Sequence, residues 1–195
     1  PAPGITQQEL RAVRAYNRGV NTGDAQTKIE AYAVATKLLP EFFEAWFNLG
    51  VAYTAAGNVD AALQAYRKAE ALRPDAVEVH RNLGRLLLRS GDLEAAARCF
   101  ERAVALAPDA PQSHNDAGEA YRQLKQANKA ITHFQRALAL RPDYAPAHYN
   151  IALTFAAHGR PAEAVQHFEA YLRLSPNASD APQVRALIRD LQNET

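Results

Sequence analysis

The stretch that decides the fold reads AWFNLGVAYTAAGNVDAALQAYRKAEALRPDA over residues 45–76, and its proline returns along the chain at a constant interval. Proline lacks a backbone N–H and disfavours helical geometry in the residue before it, so each such site should end a helix. Five stops at one spacing predict five similar units. These prolines, 34 residues apart, are Pro40, Pro74, Pro108, Pro142 and Pro176.

Other residues fall into register when the chain is aligned on these prolines, which distinguishes a true repeat from a chance series of turns. Each unit carries a small residue, then a glycine near its centre, then an aromatic residue. The central column holds Gly23, Gly57, Gly91 and Gly159, with Lys125 as the exception. The small column holds Gly50, Gly84, Gly118 and Ala152, and the aromatic column holds Tyr32, Tyr66, Phe100, Phe134 and Phe168.

Each unit is predicted to be a pair of helices joined at the central glycine. On both sides of Gly57, apolar and small residues recur three and four positions apart, which is the spacing of one helix face. Gly57 suits the turn because glycine easily adopts a left-handed backbone. Two antiparallel helices approach closely only where Gly or Ala faces the neighbour. Gly50 is therefore a steric requirement, and the ring of Tyr66 fills the adjoining gap.

The quoted stretch resembles a tetratricopeptide repeat, and HRNLGRLLLRSGDLEAAARCFERAVALAPDA over residues 80–110 resembles the next one. The resemblance covers about residues 9–176. It implies an all-α fold, an α-solenoid of stacked helix pairs that curve into a right-handed superhelix, with a concave groove lined by the first helix of each pair. The predicted organisation is one repeat domain over residues 1–195, with repeats at about 9–42, 43–76, 77–110, 111–144 and 145–178 and a capping helix at about 180–193.

Both ends of the array depart from the pattern. In the first repeat Tyr16 stands where a small residue is expected and Gly19 where a large one is. A terminal repeat packs on one side only, so relaxed constraints are expected there. Thr6 and Glu9 have the spacing of a capping box at the start of a helix. At the other end a helix with one apolar face is expected to cover the last repeat. The residues of that face are Val184, Leu187, Ile188 and Leu191.

The composition argues against several classes of protein. With 22 Lys and Arg against 21 Asp and Glu, the formal net charge of +1 creates no long-range field for nucleic acid or an anionic membrane. No apolar run reaches the roughly 20 residues that a membrane-spanning helix needs. The single cysteine, Cys99, can form no internal disulfide and is expected to be a small core residue. A soluble protein is predicted, and the bacterial cytoplasm and periplasm both fit it.

The sequence predicts no catalytic residues, no metal and no cofactor. No phosphate-binding glycine loop, paired cysteines or Gly-x-Ser-x-Gly elbow occurs in the sequence. The histidines are periodic, and equivalent slots in adjacent repeats should lie roughly 10 Å apart, too far to share one metal ion. A structural role is therefore predicted for them. One slot holds Trp46, His80, His114 and His148, and a second holds His133 and His167.

Binding in the concave groove is the class of function that remains. Helical spacing from the core stripe predicts a row of polar side chains there, one from each of four repeats. The row resembles the asparagine ladder by which some tetratricopeptide repeat proteins hold an extended peptide through its backbone. Asparagine is also common in this slot whatever the ligand, so the sequence leaves both explanations open. The row consists of Asn48, Asn82, Asp116 and Asn150.

A basic stripe is the second feature of the predicted groove. Arg81, Arg85 and Arg89 are four residues apart and share one helix face, between apolar residues of the neighbouring repeats. A solvated arginine face is the alternative explanation of this stripe. The predicted peptide-binding residues are Phe47, Asn48, Val51, Arg81, Asn82, Arg85, Arg89, Asp116, Arg122, Tyr149, Asn150 and Leu153.

The predicted function is that of a non-catalytic scaffold or adaptor that binds a peptide segment or helix of a partner protein. The stripe and its apolar neighbours favour a ligand with acidic and apolar residues. Neither nucleic acid nor a membrane span is expected. Two alternatives stay open: a structural protein that assembles into homo-oligomers, and the targeting repeats of a larger enzyme.

Overall fold

A computed structural model of the chain describes residues 4–193, which form eleven α-helices and no strand. Contacts divide the helices into two compact units, one ending at Ser90 and the other beginning at Gly91. The first unit contains α1 (Gln7–Asn21), α2 (Ala25–Leu38), α3 (Phe43–Ala55), α4 (Val59–Leu72) and α5 (Val77–Ser90). The second contains α6 (Leu93–Leu106), α7 (Pro111–Gln123), α8 (Ala127–Leu140), α9 (Ala145–Ala156), α10 (Pro161–Leu174) and α11 (Ala181–Asn193).

Within each unit every helix packs on the next one along the chain. The first helices of successive pairs also touch, α3 with α5 in the first unit and α7 with α9 in the second. Short connections between consecutive helices make each pair an antiparallel hairpin. Serial stacking of such hairpins is the packing of an α-solenoid, which confirms the predicted all-α fold class.

The central glycine column is a left-handed turn. Gly57, Gly91 and Gly159 have φ angles of 76°, 88° and 67°, and Lys125 takes the same conformation with φ 60°. Lys125 is the only non-glycine residue with positive φ among residues 4–193. Left-handed backbone crowds Cβ against the carbonyl oxygen, a strain of about 1–2 kcal/mol that glycine avoids. The turn geometry is therefore imposed by the hairpin, and Lys125 adopts it at a loss of stability.

Lys125→Gly is expected to stabilise the chain by about 1 kcal/mol, since it removes this strain and only part of the gain is lost to the greater backbone freedom of unfolded glycine. Urea unfolding followed by circular dichroism measures the change. Gly57→Ala introduces the same strain at the equivalent turn and should therefore destabilise the chain. Equal stability of the wild-type chain and Lys125→Gly would contradict the expectation.

The first hairpin has a different turn, and this corrects the alignment of the first repeat. Thr22, at the C-terminus of α1, is extended with φ −99° and ψ 145°, and Gly23 is not left-handed. The small residue that meets the aromatic ring is Gly19, where an added Cβ would lie 2.6 Å from Tyr32. The ring of Tyr16 instead lies tilted against that of Tyr32, with centroids 5.6 Å apart. The close contact is thus kept but moved one helical turn along α1, so relaxed packing of a terminal repeat is the wrong explanation.

The steric requirement of the small column is confirmed in both units. An added Cβ would lie 2.7 Å from the ring of Tyr66 at Gly50, and 2.6 Å from the ring of Phe134 at Gly118. Real Cβ atoms are not found that close to a ring, so the helix backbone rests directly on each aromatic face. Tyr66 and Phe134 are themselves almost completely buried.

Both predicted helix ends are found. The hydroxyl of Thr6 accepts a hydrogen bond from the backbone N–H of Glu9, and the carboxylate of Glu9 accepts one from Thr6, which is the predicted capping box. These bonds lower the pKa of Glu9. The capping helix is α11, which packs against α10, but its buried face is narrower than expected. Val184 and Ile188 are buried, whereas Leu187 is 39% exposed.

Tyr171 joins the capping helix to the last repeat. Its hydroxyl donates a 2.7 Å hydrogen bond to Asp180, just before α11 begins. This bond, together with burial, raises the pKa of Tyr171 to about 12. Its ring also lies 5.1 Å from that of Tyr149. Tyr171 therefore holds the end of the array, at a position where the earlier repeats have an alanine. These alanines are Ala35, Ala69, Ala103 and Ala137.

Candidate functional site

In the first unit the predicted groove residues lie on two helices that contact each other, α3 and α5. Val51 on α3 is 42% exposed and so presents apolar surface to solvent. Phe47, one turn earlier, is half-buried between Phe43 and Tyr66, with ring centroids 6.1 Å away from each. This surface, named the α3/α5 face here, consists of Phe47, Asn48, Val51, Arg81, Asn82, Arg85 and Arg89.

The basic stripe runs along α5, as the spacing predicted. Arg81 is half-buried, while Arg85 and Arg89 are exposed. On the opposite side of the same helix Val79, Leu83 and Leu86 are buried. The stripe is therefore the solvent side of an amphipathic helix whose other side supplies the core.

The amide of Asn48 takes part in a contact between helices. Its Nδ2 donates a 3.0 Å hydrogen bond to the hydroxyl of Tyr16 on α1. This bond uses one of the two N–H groups of the amide, so the other N–H and the carbonyl oxygen can still pair with a peptide unit. Asn48 therefore has a packing role that does not depend on any ligand.

In the second unit the predicted charged residues are engaged within the chain. Asp116 is buried, with 9% of its surface exposed. Arg122 forms a two-pronged ion pair with Glu119, through Nε–Oε2 at 2.8 Å and Nη2–Oε1 at 2.7 Å. The hydrogen bonds to Glu119 raise the pKa of Arg122. A bidentate pair of this kind satisfies much of the guanidinium, so Arg122 offers less charge to a ligand than the sequence suggested.

The other predicted residues of the second unit also contribute to packing. Asn150 donates a 3.1 Å hydrogen bond from Nδ2 to Oδ1 of Asn115 on α7. Tyr149 packs edge-on against Phe168, with centroids 6.0 Å apart. Leu153 is half-buried against the same core cluster. These residues of the second unit are therefore held by contacts within the chain.

The first slot of the periodic histidines has a shared structural role that the sequence did not reveal. In every case a ring nitrogen meets the carbonyl oxygen of the repeat proline six residues earlier. Trp46 donates from Nε1 to Pro40 at 2.8 Å, and tryptophan can only donate. The histidines place Nε2 at the same point. Their distances are 2.8 Å for His80 and Pro74, 3.0 Å for His114 and Pro108, and 2.8 Å for His148 and Pro142.

The second slot faces the first within the same hairpin. Nδ1 of His133 lies 3.4 Å from Nδ1 of His114, and Nδ1 of His167 lies 2.9 Å from Nδ1 of His148. The spacing of like slots in adjacent repeats did not predict that unlike slots meet within one hairpin. The constant separation of 19 residues within each pair was the signal that could have shown it.

The described part of the chain has neither a metal-type cluster nor a membrane-spanning helix. Over residues 4–193, no three His, Cys, Asp or Glu side chains converge in a way that could hold a metal ion. None of the helices in that range combines the length and the apolar character needed to cross a bilayer.

Three family models match the chain. One described as a TPR repeat matches residues 50–91, and two described as tetratricopeptide repeats match residues 81–145 and 117–189. The earliest match begins at residue 50, so the first repeat lies outside all three.

Solved structures are similar over most of the chain. A crystal structure of MamA is 23% identical, with 87% of this chain and 94% of that chain covered and a TM-score of 0.77. MamA from Desulfovibrio magneticus is 20% identical, with coverages of 90% and 99% and a TM-score of 0.81. YrrB, described as a TPR protein with an unusual peptide-binding site, is 18% identical, with coverages of 90% and 92% and a TM-score of 0.74. At these identities the likeness establishes the fold. No curated protein sequence matches the chain significantly.

Proposed function

Because the chain is a tetratricopeptide repeat protein, a kind of protein-interaction scaffold, we propose that it is a non-catalytic adaptor that binds a segment of a partner through the α3/α5 face. The partner segment is extended or helical, with acidic residues next to an apolar anchor. The observation that carries this proposal is the arginine stripe of α5 beside the exposed Val51 of α3.

The charges on this face favour an acidic ligand. The three arginines are four residues apart on α5, so their guanidinium groups lie along one line about two turns long. Arginine forms bidentate hydrogen bonds with carboxylates, which makes a row of them a suitable surface for Asp and Glu side chains. Asn48 and Asn82 lie on the same face and supply amide groups that can pair with the backbone of the bound segment.

Apolar contacts must supply much of the affinity. Exposed ion pairs contribute about 0–1 kcal/mol each, whereas a micromolar complex needs about 8 kcal/mol. Val51 is available for such contacts, and the edge of the Phe47 ring lies one turn away on the same helix. A small apolar side chain of the partner against Val51 would be the anchor, with its acidic residues directed to the stripe.

The test begins with a selection of binding peptides from a random displayed library on the wild-type chain. Selected peptides are expected to be enriched in Asp or Glu next to an apolar residue. Arg85→Glu combined with Arg89→Glu should weaken the selected peptide about tenfold, which corresponds to about 1.4 kcal/mol, with unchanged helicity. Fluorescence anisotropy measures the affinity, and raised salt should weaken it in the wild type.

The matched control is Arg98→Glu combined with Arg102→Glu, two exposed arginines with the same spacing on α6. This control should bind the peptide as the wild type does. Equal loss in both double variants would mean that net charge alone is measured and would contradict the proposed face. Selected peptides without acidic residues would contradict the proposed ligand.

A further inference from the structure

The structure determines which ring nitrogen of His114 carries the proton. Its Nε2 lies 3.0 Å from the carbonyl oxygen of Pro108, the contact that Trp46 makes with an N–H in its own repeat. A carbonyl oxygen only accepts, so Nε2 of His114 must donate. In a neutral ring Nδ1 then carries a lone pair, and this lone pair points towards His133.

His133 likewise has its Nε2 next to a hydrogen-bond acceptor. Its Nε2 lies 3.1 Å from Oε1 of Glu101, and the hydroxyl of Tyr121 donates to that oxygen at 2.8 Å. A carboxylate accepts hydrogen bonds, so Nε2 of His133 donates to it. Nδ1 of a neutral His133 therefore also carries a lone pair. Two lone pairs face each other across 3.4 Å, longer than an ordinary N–H···N hydrogen bond.

The second histidine pair lacks this conflict and has a shorter contact. Within residues 4–193, Nε2 of His167 has no hydrogen-bond acceptor, so the ring can carry its proton on Nδ1 and donate to His148. The separation of 2.9 Å is that of a normal hydrogen bond. The two pairs occupy the same slots, and they differ in the hydrogen bond from His133 to Glu101. The carboxylate near His167 is Glu163, which pairs with Arg160 instead.

We propose that His114 and His133 bind a divalent transition-metal ion of the zinc type through their Nδ1 atoms, with water completing the coordination. Zinc binds imidazole nitrogens at about 2.0–2.1 Å, so two ligands of a tetrahedral site lie about 3.3 Å apart, close to the separation observed. Each ring also donates its other N–H, one to a backbone carbonyl and one to a carboxylate. Histidine ligands of metal sites are held in this way.

One of the two rings, His133, lies beside a surface cavity, whereas His114 is buried. A surface cavity of about 210 Å³ is lined by Asn128, Lys129, Thr132 and His133. Lys129 opposes a cation there, and Glu101 offsets it. With two protein ligands the site is expected to bind in the micromolar range, more weakly than a structural zinc site.

Zinc titration of the full chain, prepared without a polyhistidine tag, tests the proposal by calorimetry. One Zn²⁺ per chain is expected, and Co²⁺ in its place should give the visible absorption of a tetrahedral site. His133→Gln should lose at least tenfold in affinity because a ligand is removed. Glu101→Gln should lose about tenfold because the orienting carboxylate is removed while both ligands remain.

His167→Gln is the matched control, since it removes the equivalent ring from the other pair, and it should bind zinc as the wild type does. Circular dichroism confirms folding of each variant, and Glu101→Gln decides the outcome if His133→Gln does not fold. The proposal is overturned if wild-type binding does not saturate at submillimolar zinc. It is equally overturned if His167→Gln weakens binding as much as His133→Gln, or if neither His133→Gln nor Glu101→Gln weakens it.

Discussion

Phe134→Ala is expected to lower the free energy of unfolding by about 3–5 kcal/mol, the usual loss for a fully buried phenylalanine. The ring has no exposed surface and belongs to the core cluster that also contains Ile151 and Phe168. It supports the backbone of α7 at Gly118, so its removal leaves a cavity that side chains cannot easily fill. Transfer of the ring to water and the cavity both contribute to the loss.

Hydrogen exchange measures this loss locally, which suits a repeat protein because each repeat is stabilised mainly by its neighbours. Amide protection should fall in α7, α8 and α9, the helices that contain and contact the cluster. Arg136→Ala, an exposed position on the same helix, is the control and should leave protection unchanged within about 0.5 kcal/mol. Unaltered protection of α7 in Phe134→Ala would show that the ring is not required for the hairpin.

Gly118→Val is expected to destabilise the chain by about 3 kcal/mol, at the upper end of the range for overpacking. An added Cβ would lie 2.6 Å from Cε1 of Phe134 and 2.7 Å from Cδ1, so the ring or the helix must move. The fifth repeat has Ala152 in this column, in the same core cluster as Phe168, so a methyl group is tolerated where the spacing allows it. Valine adds two further methyl groups and restricts the side chain within the helix.

Thermal unfolding of Gly118→Val is compared with that of Gly23→Ala, because Gly23 has open space around it and no left-handed backbone. The control should change stability by less than about 1 kcal/mol. A double-mutant cycle then identifies the cause. If the contact with the ring is responsible, Gly118→Ala should destabilise the chain less when Phe134 is replaced by leucine. Additive effects of the two substitutions would assign the loss to something other than this contact.

The sequence pattern was sufficient to predict the helix pairs, because the residues that determine each pair lie close together in the sequence. The repeat prolines, the turn glycine and the small and aromatic columns act within about 30 residues. They predicted the hairpins, the left-handed turn at Gly57 and the capping box at Thr6, and all three are found. The first repeat was misaligned because Gly23 occupies the turn column without the turn conformation. Alignment of the repeats compares only residue types. The contact between the small residue and the aromatic ring depends on how the turn rotates one helix against the other.

The predicted ligand-binding residues show the same limit. The sequence alone determined the fold class, the helix that carries the arginine stripe and the periodic histidine slots. Only the tertiary structure decided that Asp116 is buried, that Arg122 pairs with Glu119 and that His114 faces His133. The physical reason is that helical periodicity defines the direction of a side chain around its own axis. Its partner depends on the distance and rotation of a neighbouring helix, which packing between the helices sets.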